Sequence, residues 1–289
     1  MTHIEYPDIP LYHYTSLGAL LGIIENKTIR LTDYRFLNDT SELIFAIDEL
    51  QKSLGLFSQN PYCSHIVGVL ENIKKEEVLY LPIRVGEHGE NIIIPEMRNV
   101  HYYVLSLSQK ADQLPMWKMY AKNGCCIKFN SQKINAFFDD FRDRYMEKGI
   151  FNTIKGDVLY GSNDLYDKIF LETVFKDPNS LSIYDIILNY CLKRKTDAFS
   201  YESEYRFGIH FGDHLLELDG KTDVEKVFFQ SSDIIKPQIE LKNFPVTDII
   251  EEIIVSPYNS ELAVLGIQEL LAKHSISKDI VKKSDITIR

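Results

Sequence analysis

The hydrophobic pattern begins at residues 11–24, LYHYTSLGALLGII, where a short extended piece passes directly into helical spacing. Leu17, Leu20, Leu21 and Ile24 recur at helical intervals, and Ser16 stands where a cap belongs, so a helix is expected through Glu25. A strand at Ile29–Asp33 follows. Asn38 and Asp39 then precede a longer helical pattern with an apolar face of Leu43, Ile47 and Leu50, and Asp39 and Glu42 are spaced as a capping box. Helix is expected again over Ser64–Lys75, while 85–98, broken by Gly and Pro, reads as an insertion or loop. From Val100, VHYYVLSLSQ alternates with period two and predicts a strand with Ser106 and Ser108 on one face. Pro115 starts the helical turn PMWKMYAK, Gly124 ends it, and CCIKF returns to strand. Residues 131–148 and 163–196 read as largely helical around a strand at Ile154–Tyr160. The last third supplies four strand candidates, YESEYRFGIHF, VEKVFFQ, KPQIEL and IEEIIVS, before a helix at Ser260–Lys273.

This order of elements predicts an α+β fold with a mixed or antiparallel sheet, not a repeating parallel one. No internal repeat, low-complexity tract or linker interrupts it. The expectation is a single domain over 1–289, with helical insertions near 40–98 and 131–196.

Composition narrows the function classes. The chain has 289 residues, 45% of them hydrophobic, enough to bury a substantial core. Its 32 basic and 42 acidic residues leave a charge of −10, which disfavours broad clamping of nucleic acid but permits a local basic pocket. Four cysteines without CxxC spacing fit a reducing, cytoplasmic setting, and no apolar run is long enough to span a bilayer. Adjacent Cys125 and Cys126 point to opposite faces of any strand and read as small buried hydrophobes.

The chemistry-bearing stretch outside the opening is YESEYRF, residues 201–207. If it is all strand, Glu202, Glu204 and Arg206 share one face. Two settings suit them: a solvated charged edge that discourages sheet aggregation, or a polar pocket floor where Arg206 keeps a carboxylate ionised. His13 has two readings likewise, an ordinary core histidine or a ligand-facing group beside a helix start. His210 and His214, with Asp213 between them, lack a third ligand, so no metal is expected. Phosphate-loop, dinucleotide, zincin and serine-hydrolase signatures are absent from the sequence.

Three segments, LYHYTSLGALLGIIENKTIRLTDYRFLNDTSEL, SLSQKADQLPMWKMYAKNGCCIKF, and AFSYESEYRF followed by EEIIVSP, resemble the bacterial family called domain of unknown function 2971. More distantly, the opening is similar to the first strand and helix of ADP-ribosyltransferases of the toxin–antitoxin type. That resemblance implies a split ADP-ribosyltransferase-like sheet and cleavage of NAD, as substrate, at the nicotinamide bond. It implies Glu204 and Tyr120 as catalytic residues, with Glu202 competing for the glutamate role. His13, Tyr14 and Thr15 would hold the adenosine-side ribose and its neighbours, Tyr34 or Tyr120 would pack on nicotinamide, Arg35 or Arg206 would neutralise the pyrophosphate, and Ser106 stands among the central candidates. The implied partners are a macromolecular acceptor, nucleic acid or protein, and an antitoxin or chaperone, in a toxin or phage-defence setting without a membrane. The alternatives are a nucleotide-sensing or nucleic-acid-sensing module without turnover, and a metal-dependent nuclease built from Asp39, Glu202, Glu204 and His210.

Overall fold

A computed structural model describes residues 6, 8–37, 41–75, 82–85, 90–93, 100–145, 150–178, 183–212, 223–231 and 234–288. β1 (Leu11–Ser16) runs into α1 (Leu17–Asn26), whose first turn is closed by Ser16 Oγ accepting from the Ala19 N–H at 3.1 Å. Lys27, in the left-handed region at φ 52°, ends that helix and admits β2 (Ile29–Asp33). Next come α2 (Glu42–Leu54), α3 (Cys63–Lys74), β3 (Pro82–Val85), β4 (Glu90–Ile93), β5 (Val100–Ser108), α4 (Leu114–Tyr120) and β6 (Gly124–Phe129). The middle of the chain gives α5 (Ser131–Tyr145), β7 (Ile150–Asp157), β8 (Leu159–Tyr160), α6 (Asp164–Val174), α7 (Ile183–Cys191) and β9 (Arg194–Lys195). The last third gives β10 (Glu204–Gly212), β11 (Val224–Ser231), β12 (Ile234–Leu241), α8 (Val246–Ile249), β13 (Ile250–Val255), α9 (Glu261–Lys273) and β14 (Val281–Lys283).

The α+β expectation holds, with three local differences. Where a loop was expected near 85–98, β4 forms a strand that pairs antiparallel with β3, while the Gly and Pro residues of that stretch lie outside the described residues. YESEYRF is not one strand: residues 197–202 form a 3-10 turn, Ser203 is left-handed at φ 43°, and extended structure begins only at Glu204. β14 was not expected. The Asp39 capping box lies outside the described residues.

The main sheet runs β11-β12-β2-β5-β1-β6-β13-β14, with β10 on β5 and β7 on β10. All its ladders are antiparallel except β13 with β14. β5 is the pivot. β10 pairs with it along its whole length, Glu204 opposite Ser108 through Gly212 opposite Val100. Its other edge is shared: β2 takes Tyr103 and Val104, and β1 takes Ser108. β1 and β2 therefore part along residues 105–107, and the sheet opens there.

Two apolar clusters hold the layers in place. One gathers α1, α5, α8 and α9 with the sheet around Leu20, Ile24, Ile127, Phe138, Phe207 and Ile253. The other joins α2, α3, α6 and α7 through Ile47, Leu50, Leu70, Leu171, Ile187 and Leu188, seated on Tyr102 and Ile154 of the sheet. The segments expected as two separate insertions thus meet in one helical layer, except α5, which belongs to the first cluster.

Gly124 lies opposite Ser16 in the β1–β6 ladder, and a Cβ there would stand 1.9 Å from the Thr15 carbonyl oxygen. The obstacle is backbone, so β1 itself must move. Gly124→Ala is expected to destabilise the fold by about 1–3 kcal/mol; urea unfolding measures it, and an unchanged midpoint would contradict this packing.

Candidate functional site

The opening in the sheet is a cavity of about 520 Å³. β1 contributes His13, Tyr14 and Thr15, β5 contributes Ser106 and Ser108, α4 contributes Tyr120, and β10 contributes Glu204 and Arg206. The opposite wall carries Arg30 and Thr32 from β2 with Phe229, Lys236 and Gln238 from the β11–β12 hairpin. Of the residues expected at a site, Tyr34 and Arg35 are not in the lining. The 3-10 turn over 34–36 sends Tyr34 edge-on against Tyr102, with ring centroids 6.0 Å apart, and Arg35 folds back on Asp33 through two hydrogen bonds. Phe36 and Leu37 line the cavity in their place.

At one end lies a buried ionic network. Lys195 Nζ meets Glu202 at 2.6 Å, Glu204 at 2.8 Å and Glu42 at 3.0 Å. Arg206 grips Glu204 through Nε at 2.6 Å and Nη2 at 3.1 Å, reaches Glu42 at 2.7 Å, and donates to the Leu192 carbonyl. Tyr120 donates its hydroxyl to Glu202 Oε1. Glu202, Glu204 and Arg206 are at most 3% exposed. The solvated-edge reading of this motif is thereby corrected: β10 is flanked by β5 and β7, so its side chains have no edge to occupy.

Local structure aims each of these groups. β9 pairs in parallel with β8, and alternation turns Arg194 toward the helices, where it meets Asp167 at 2.5 Å, and Lys195 toward the cavity. The 3-10 turn and left-handed Ser203 bring Glu202 alongside Glu204 instead of leaving it two places back on a strand. Ser108 Oγ fixes the turn by donating to the Glu202 carbonyl at 2.6 Å.

Charges inside the network are unequal. Burial alone would raise the Glu204 carboxyl, but Arg206 and Lys195 outweigh it and hold the group down at about 2. For Glu42 burial wins over the same two cations and its carboxyl is raised. Of these two carboxyls, Glu42 therefore takes a proton before Glu204. Lys195 loses by burial and gains more from Glu204 and Glu42; its ammonium is held charged, above the ordinary lysine range.

His13 is half-buried and its ring lies parallel to Phe129, centroids 6.2 Å apart. Burial pushes its pKa down to about 4, against an opposing backbone hydrogen bond with Ser106. Nδ1 has no partner, which gives the Ser106 bond to Nε2 and leaves Nδ1 as a lone-pair acceptor. Gln238 Oε1 is a second buried acceptor without a partner, its amide nitrogen donating to Thr32 Oγ1 at 3.0 Å. The lining therefore offers two acceptors together with four cations, Arg30, Lys195, Arg206 and Lys236, against three carboxylates. Arg30 is in turn paired with the buried Glu240 at 2.8 Å, so the charges around the cavity are matched, and the two acceptors suit a ligand bearing hydroxyl or amine donors, with Lys236 and Arg30 on the wall that an anionic group would meet.

The neutral state of His13 has a measurable consequence. An unfolded histidine takes up its proton near 6.5, so this residue's contribution to stability is intact above that pH and is lost as pH falls toward 4. An NMR titration should find the imidazole transition near 4; one at 6.5 or above would contradict the buried placement.

Among the missed residues, Glu42 and Lys195 are central. Glu42 carried a signal: it falls on the same helical stripe as Ala46, Leu50 and Ser53, where a charge is out of place. Lys195 carried none beyond its charge. The cysteine reading agrees with the structure: Cys125 and Cys126 are fully buried, and burial pushes the Cys125 thiol up to about 12. His210 stacks on Tyr102 at 4.2 Å beside Asp185, six residues along β10 from Glu204, while Asp39 and His214 lie outside the described residues. Glu202 and Glu204, two of the carboxylates a nuclease would offer to a metal ion, are turned onto Lys195 and Arg206.

The model of a family described as "Protein of unknown function (DUF2971)" matches residues 116–207, a stretch that runs from α4 to the start of β10 and includes Tyr120, Lys195, Glu202, Glu204 and Arg206. The match supports the membership of that family which the three sequence segments indicate. No curated protein and no solved structure matches the chain. No helix among the described residues is long and apolar enough to cross a membrane.

Proposed function

We propose that the cavity binds NAD and transfers its ADP-ribose to a macromolecule, in the cytoplasm. One observation carries this reading: His13, Tyr120 and Glu204, from three distant parts of the chain, line the same cavity. Breaking the nicotinamide bond leaves positive charge on the ribose, and an ionised carboxylate in a water-poor site stabilises that charge. Glu204 supplies it, held ionised by Arg206 and Lys195. His13 Nδ1 and Gln238 Oε1 accept from ribose hydroxyls or the exocyclic amine of the base. Lys236 and Arg30, the latter also paired with Glu240 at 2.8 Å, line the wall that would face the pyrophosphate; of the two arginines expected there, Arg35 is outside the lining and Arg206 is enclosed in the buried ionic network. Nicotinamide departs with the bonding electron pair, the acceptor's nucleophilic atom bonds to the ribose carbon, and the acceptor gives up a proton. Labelled NAD supplied to wild type and Glu204→Gln in cell lysate tests the reading: wild type should label a macromolecule and the variant should not.

A second reading has its own support. Both oxygens of Glu204 already bond cations, as in a purely structural network, so the cavity of a sensing module would look similar. Its mark is an NAD-dependent rise in melting temperature with the NAD left intact.

A further inference from the structure

β11 and β12 run past the rest of the sheet. β2 pairs with β12 only over Gln238–Leu241, whereas β11 pairs with it out to Ile234. The outer half, 228–231 against 234–237, is two-stranded, with no third strand beside it among the described residues. Pro237, at the point where β12 leaves β2, brings no N–H to a ladder. A two-stranded ribbon is marginal in water, yet this one exposes Phe228 at 65%, Phe229 at 45%, Ile234 at 44% and Ile235 at 64%. Register puts Phe229, Ile234 and Lys236 on the face that lines the cavity, and Phe228 and Ile235 on the other. Phe229 thus belongs both to the cavity rim and to the exposed tip, so whatever docks on the tip is placed at the cavity mouth.

The tip's charge selects the partner class. Positions 227–231 and 234–235 carry no charged residue, and the one charge in the outer half, Lys236, lies on the cavity face. A polyanion is bound through several Lys and Arg side chains; an apolar outer half whose single cation faces the cavity, on a chain of charge −10, does not offer that. Clustered exposed aromatic and branched aliphatic side chains fit the core of a protein–protein contact. We propose that the outer half of the β11–β12 hairpin docks a protein acceptor through an apolar, non-acidic surface and delivers it to the cavity. This rests on the transferase reading above, because what is docked is the recipient of ADP-ribose.

Phe228→Ser combined with Ile235→Ser tests it, both positions being outside the cavity lining. Full-length wild type and variant are given labelled NAD, and two products are read: nicotinamide released by water in buffer, and macromolecules labelled in lysate. The variant is expected to hydrolyse NAD at the wild-type rate, to melt at the wild-type temperature, and to label a protease-sensitive acceptor at least tenfold less; Ile235→Lys should act in the same direction if the double variant melts early. Unchanged labelling by an active variant would overturn the docking surface alone. So would label removed by nuclease instead of protease, hydrolysis lost together with labelling, or a wild-type dimer in sedimentation that the substitutions dissociate, which would assign the tip to a second copy. Wild type that neither hydrolyses nor transfers NAD would remove the transferase reading, and the docking surface with it.

Discussion

Replacing Lys195 with Met is expected to destabilise the protein by about 3–5 kcal/mol at neutral pH, since removing one partner leaves buried charges uncompensated. The ammonium sits within 3.0 Å of three carboxylates, and Arg206 alone cannot neutralise them. The pH dependence identifies the cause. In wild type the depressed Glu204 contributes stability that is fully present above the unfolded carboxyl range, near 4.5, and is lost as pH falls toward 2. Without Lys195 the three carboxyl groups repel one another and bind protons more readily than in the unfolded chain, so the variant gains stability as pH falls. The deficit should therefore be largest at pH 7–8 and shrink toward pH 5. Urea unfolding across that range measures it; a deficit below about 1 kcal/mol, or one independent of pH, would mean that the network is solvated and contributes little.

That network also marks what was legible in the sequence. The first strand, its helix and β2 were readable because their signals are local: Ser16 caps from three residues away and Leu20 and Ile24 lie one turn apart. The four late strands were readable as elements, although the first of them begins at Glu204 and not at Tyr201. Which strand lay beside which was not, and for YESEYRF that neighbour decided everything. Charges on an edge strand are solvated; the same charges on β10, enclosed by β5 and β7, must find partners. Those partners are remote, with Glu42 lying 164 residues from the Arg206 it meets. Spacing carries no information about such a pairing, nor about the 3-10 turn that sets Glu202 and Glu204 around one ammonium. The motif was visible as chemistry, while its partition between pocket and surface depended on topology.

The choice between those two glutamates yields the largest expected effect on activity. Under the transferase reading, Glu204→Gln should lower NAD turnover by about 10²–10³-fold, the scale seen when one preorganised electrostatic group is removed from a transition state. Glu202→Gln should cost roughly tenfold, because Glu202 is held between the Tyr120 hydroxyl and Lys195 and its loss disturbs mainly the positioning of Tyr120. An amide in place of Glu204 turns an N–H toward either Arg206 or Lys195, a mismatch of about 1–3 kcal/mol, so rates are compared well below each variant's melting temperature. A pH profile separates chemistry from packing. With its carboxyl held at about 2, Glu204 stays ionised throughout the range where the protein is folded, so wild-type kcat/KM should show no acidic limb from this residue between pH 5 and 8. A larger loss in Glu202→Gln than in Glu204→Gln would exchange the two roles. Full turnover in both variants would leave the network as scaffold and the cavity without its proposed carboxylate. Stabilisation of wild type by NAD, with no nicotinamide released, would make the same pocket a sensor, because orphan acceptors at His13 and Gln238 recognise a ligand whether or not a carboxylate acts on it.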